Sequence, residues 1–154
     1  MDGLGALDNQ TLAVHLVQVD RDDLDLLAQK DVRVCVCPRS NHNLLGQLPD
    51  VHAMLARGLR PALGTDSLAS VSSLDLFDEM RFLAREVPAL SPLEIISMGT
   101  VNGARALSRD RGLGTLEQGK HGVMLFFPVD GANSEAAISE LFSEDYQILP
   151  EWVL

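Results

Sequence analysis

With 154 residues, 46% of them hydrophobic and 22% charged, the chain has the composition of a folded globular protein and not of a disordered tail. Its formal charge of -10 disfavours attraction to phosphate backbones and anionic lipid, which sets nucleic acid and membrane surfaces aside as partners. No apolar run reaches the length of a membrane span, and the opening MDGLGALDNQ has neither a basic nor an apolar leader region, so a cytoplasmic chain is expected.

TLAVHLVQV, residues 11–19, is rich in β-branched residues and short for a core helix, which predicts a strand. DRDDLDLLAQK then predicts a helix with Asp20 as N-cap, acids in its first turn, and Val19 and Leu24 placed as a hydrophobic staple. VRVCVC, residues 32–37, predicts a second strand, ended by Pro38, which has no N–H for a central ladder. Its cysteines, Cys35 and Cys37, share a face roughly 6.6 Å apart, an extended spacing that disfavours a disulfide. No further soft ligands follow at zinc-site spacing, so reduced thiols are expected. PRSNHNLLGQL reads as a long loop into PDVHAMLARG, a helix with Pro49 in an early position and Gly58 at C′.

LRPALGTD predicts a third strand, and Ser72 or Ser73 is expected to cap the helix LDLFDEMRFLARE, whose Leu74, Phe77 and Met80 lie toward one side. Strand and helix alternating three times implies parallel strands covered by helices. Beyond residue 90 the pattern changes. SPLEII carries a capping box of Ser91, Pro92 and Glu94, and NGARAL extends the helix after a break near Gly99. RGLGTLEQGKHG is a glycine-rich loop, VMLFFPV a strand, and the remainder a tail with room for a short helix.

Asp66 ends the third apolar run, in LGTDSLAS, and a charged carboxylate is costly to bury unless a cation, proton or metal compensates it. In parallel α/β folds functional groups gather at the carboxyl ends of strands. His15, the segment Pro38 to Asn41, and Asp66 all fall on or just after strands. A lone strand histidine equally suits a hydrogen-bonded core or interface position, and Ser40 and Asn41 also suit holding a loop through its backbone groups.

LAVHLVQVDRDDLDLLAQKDVRVCVCPRSNHNL, then LARGLRPALGTDSLASVSSLDLFDEM, TVNGARAL and GTLEQGK, together resemble the C-terminal half of the amidohydrolase superfamily, in the cytosine deaminase and chlorohydrolase branch that includes methylthioadenosine, S-adenosylhomocysteine and aminofutalosine deaminases. The resemblance implies an α/β fold: the last three βα units of a (β/α)8 barrel over residues 1–108, and a piece of a C-terminal β-sandwich over residues 109–154. It implies that Asp66 is the family's metal-binding aspartate and the base that takes a proton from the attacking water. His15 then hydrogen-bonds the attacking oxygen or the substrate, with Ser67 and Asn41 as substrate-binding candidates. One divalent ion, zinc or iron, is expected, its remaining ligands lying outside this stretch, because no two of His15, His42, His52 and His121 are separated by a single residue as in the family's His-x-His pair. The implied function is hydrolytic deamination of a purine nucleoside or related heterocycle, by a complete hydrolase of non-peptide carbon–nitrogen bonds. The alternatives are a chlorohydrolase or amide hydrolase of the same superfamily, or a non-catalytic α/β fragment acting as an assembly module. The implied partners are a small heterocyclic substrate and either an N-terminal half or a second copy. GKHGVML stands where the family commonly has an Ala-Asp pair.

Overall fold

A computed structural model describes residues 5–143, 146 and 150–153. Three short strands, β1 (Leu12–Val14), β2 (Arg33–Val36) and β3 (Ala62–Leu63), form a parallel sheet in that order, with Val14 opposite Cys35 and Val36 opposite Leu63. Helix α1 (Arg21–Gln29) connects the first two strands, and α2 (Pro38–Leu45) and α3 (Val51–Ala56) connect the second and third. Helices α4 (Leu76–Glu86), α5 (Pro92–Gly99) and α6 (Val101–Ala106) follow. A separate antiparallel pair, β4 (Met124–Phe126) and β5 (Glu151–Val153), is interrupted in sequence by α7 (Ser134–Leu141).

The helix boundaries follow local chemistry. Asp20 caps α1 and Ser91 caps α5, as expected, each in a reciprocal capping box with the residue three positions on; the box at Asp20, with Asp23, was not among the expectations. Gly58, with φ +78°, turns the chain out of α3, where Pro49 precedes the Asp50 cap instead of lying inside the helix. The cap of α4 is Asp75 and not Ser72 or Ser73, because its carboxylate accepts from Phe77 N at 2.8 Å while Ser73 Oγ is taken by Asp75 N. PRSNHNLL is the helix α2 and not a loop: Pro38 occupies its first position, where a missing N–H costs nothing. The first strand is three residues long and not nine, since His15 and Leu16 turn out of it with φ of 75° and 57°.

The two faces of the sheet differ. Val34 and Val36 are buried among Leu24, Leu27, Val51, Met54, Leu83, Ile95 and Met98, the core shared with the helices. On the other face, aligned by register with Arg33 and Cys35, Leu12 is 37% exposed and Val14 43%. At the start of β2 the Arg33 guanidinium bonds the carbonyl of Gln10, the carbonyl of Ala106 (2.9 Å) and Ser108 Oγ (2.6 Å), tying the sheet to the end of α6. The C-terminal segment packs on α4 through Phe127, edge-on to Phe77 with centroids 4.8 Å apart, and Tyr146 donates to the Pro128 carbonyl at 3.0 Å. Among the described residues no helix is long and apolar enough to cross a membrane.

Removing the Asp20 or Ser91 side chain, by Asp20→Ala or Ser91→Ala, should each cost about 1 kcal/mol of stability. The two losses should add in the double variant, since the caps share no partner; urea denaturation midpoints at constant m-value check this.

Candidate active site

Asp66 follows β3 in a left-handed conformation, φ +63°, that Asp adopts more readily than most residues. Gly64 makes the approach possible, because a Cβ there would stand 3.1 Å from Cys35 Sγ and 3.3 Å from Cys37 Sγ. The expected buried acid is an exposed one. Its carboxylate is nonetheless held: Ser40 Oγ donates to Oδ2 at 2.7 Å, and Ser70 Oγ lies 3.3 Å from the same oxygen. These bonds keep Asp66 ionised. The Ser40 hydroxyl, the nearby His15 ring and then Ser70 hold its carboxyl below the ordinary carboxylate range.

His15 lies just past β1 and not within it. Its backbone N–H still donates to the Cys35 carbonyl at 2.9 Å, so the chain turns while tethered to the second strand. The half-buried ring meets Asn41, whose Nδ2 is 3.1 Å from Nδ1. Left-handed backbone at His15, Leu16 and Asp66 is strain of the kind that recurs at functional sites.

Ser40 and Asn41 are consecutive in α2 and both buried, Asn41 at 3% exposure. One holds the carboxylate and the other the imidazole. Asn41 Oδ1 is buried without a hydrogen-bond partner among the described residues. Ser67 is exposed beside Asp66, and its carbonyl receives Ser70 N and Val71 N in the following turn.

Glu79, outside the sequence-derived set, and Arg39, within the Pro38 to Asn41 segment, complete the arrangement. Glu79, on α4 with 0% exposure, accepts from Arg39 N at 3.0 Å and from Arg39 Nε at 2.8 Å. Arg39 Nη2 donates to the Ser73 carbonyl at 2.6 Å, and Nη1 pairs with Asp78 at 3.4 Å. The signal for Glu79 was its position three residues after Leu76 and four before Leu83, on the apolar side of the helix.

Among the described residues no three His, Cys, Asp or Glu side chains converge, whereas a catalytic zinc site takes three protein ligands. The cysteines are free thiols; a hydrogen bond with Cys35 and then burial push the Cys37 thiol up, which keeps it protonated. His42 lies on α2, edge-on to Phe82 at 5.4 Å, and His52 and His121 are exposed elsewhere.

The amidohydrolase family model matches residues 1–146. A 5-methylthioadenosine/S-adenosylhomocysteine deaminase of Moorella thermoacetica is 40% identical over 124 residues, covering 76% of this chain and 29% of that protein. An S-triazine hydrolase of Gordonia rubripertincta is 36% identical over 124 residues, covering 76% of this chain and 26% of that protein. A zinc-bound adenosine deaminase of Xanthomonas campestris superposes with a TM-score of 0.81 at 28% identity, over 92% of this chain and 34% of that one. The chain thus spans about three-tenths of the length of the proteins it matches. With a family match running over nearly all of its residues and an α/β fold like that of a solved relative, the chain belongs to the amidohydrolase family.

Proposed function

We propose that this chain forms the C-terminal part of a metal-dependent deaminase acting on a purine nucleoside or a related heterocycle. Residues 1–108 would be the last three βα units of a (β/α)8 barrel, and residues 109–154 part of a β-sandwich. The parallel order of β1, β2 and β3 and the separate antiparallel β4–β5 pair support that division. The observation that carries the reading is the pairing of a charged carboxylate and an imidazole at one end of the sheet, each held by a neighbouring residue of α2.

Asp66 would hold a divalent ion, zinc or iron, with ligands from outside the described residues. The ion supplies, when bound, Lewis-acid activation of water near neutral pH. Asp66 accepts a proton from the attacking water and returns it to the departing nitrogen, a role that needs the ionised form its hydrogen bonds favour. Asn41 Nδ2 occupies His15 Nδ1, which leaves Nε2 to meet the attacking oxygen or a ring nitrogen of substrate. Ser67 offers an exposed hydroxyl beside the carboxylate. The Gordonia relative supports a second reading, hydrolysis of an s-triazine, with the same two side chains in the same roles.

Ammonia release from 5-methylthioadenosine and S-adenosylhomocysteine, with zinc and iron content, can be measured for the chain alone and mixed with the N-terminal remainder of the Moorella relative. Metal and ammonia are expected in the mixture; neither metal nor turnover in both samples would sink the reading. In the active mixture Asp66→Asn should lower turnover by about 100-fold or more, while His42→Ala should leave it near the parent value. The acid side of the pH profile gives a further check. Since the Asp66 carboxyl is held below its ordinary value, its charged form is present above the unfolded-state value of about 3.9 and is lost as pH falls through the lower folded one. Ser40→Ala should therefore move both the Asp66 carboxyl titration, followed by carbon NMR, and the acid limb of activity to higher pH.

A further inference from the structure

Helix α2 carries both side chains that hold the proposed working pair, so its own placement decides theirs. Its N-terminus lacks the usual means of being fixed. Cys37, at the cap, makes no side-chain cap bond, and Pro38 at the first position has no N–H. The next free backbone donor, Arg39 N, is met by the carboxylate of Glu79, reaching from α4 across forty positions of sequence. The same carboxylate accepts Arg39 Nε, and Arg39 in turn grips the Ser73 carbonyl ahead of α4. Glu79 thus places negative charge at the positive end of α2 and pins the residue directly before Ser40 and Asn41.

A buried carboxylate bonded twice to one residue fixes rotation as well as position. A helix turns by roughly 100° per residue, so a rotation of α2 swings Ser40 away from Asp66 and Asn41 away from His15 together. We propose that Glu79 is a positioning residue: by locking the first turn of α2 it sets the orientation of the Asp66 carboxylate and the His15 ring at once. This rests on the reading of those two side chains as the working pair. A plain packing role for the Arg39–Glu79 pair would stabilise the fold without any particular consequence for the imidazole.

The His15 ring separates the two. With Asn41 Nδ2 donating to Nδ1, the ring proton belongs on Nε2. In the chain labelled with nitrogen-15 histidine, at about pH 8.5 where an ordinary imidazole is neutral, the His15 signals should show one Nε2–H tautomer. Glu79→Gln should make the Nδ1 and Nε2 signals converge toward a tautomer average. The paired variant Arg39→Met with Glu79→Met should do the same while preserving the fold, since apolar replacement of both partners of a buried ion pair is often neutral or stabilising. Ser91→Ala, which weakens the fold at a distant cap, should leave the single tautomer in place. A parent ring that is already averaged, Glu79 variants with parental signals, or the same convergence in Ser91→Ala would each overturn the proposal. The readout is a ring signal and not product, so it succeeds or fails independently of whether the assembled protein deaminates anything.

Discussion

A carboxylate with no exposed surface must be compensated, because removing a charge from water costs several kcal/mol after relaxation. Glu79 meets that demand with a backbone N–H and a guanidinium N–H from the same residue, Arg39. The interaction joins the start of α2 to the first turn of α4 and reaches the loop between β3 and α4 through the Ser73 carbonyl. Around it the packing is apolar: Met80 and Leu83 of the same helix are buried in the core. The polar end of the sheet and its hydrophobic centre are therefore fixed by adjacent turns of one helix.

The sheet itself is covered unevenly. Parallel sheets are ordinarily buried on both faces, yet here the helices cover the face carrying Val34 and Val36 and leave Leu12 and Val14 in contact with solvent. The matched relatives are about three times as long as this chain.

Features set by neighbouring residues were legible in the sequence. The caps Asp20 and Ser91, the Ser91–Glu94 box, the glycine after α3 and the break at Gly99 follow from contacts a few positions apart. Asp66 and His15 stood out because residues at strand ends face the functional side of such folds. Helix α2 was not legible: a proline after a strand, followed by serine and asparagine, also describes a turn, and the group that meets its first free N–H is forty residues away. The early end of β1 escaped for a similar reason, as nothing in an apolar run marks where His15 and Leu16 take up positive φ. The bond from Ser40 to Asp66, which favours the charged form of the acid, depends on that same unforeseen helix.

The adjacency of Ser40 and Asn41 bears on how this stretch can drift over generations. Both recipients are reached from successive positions of one helical turn, so their geometry depends on the rotation of α2 as a whole. A single inserted or deleted residue between Pro38 and Asn41 rotates everything after it by about 100° and uncouples acid from imidazole in one event. At this turn, length matters alongside residue identity.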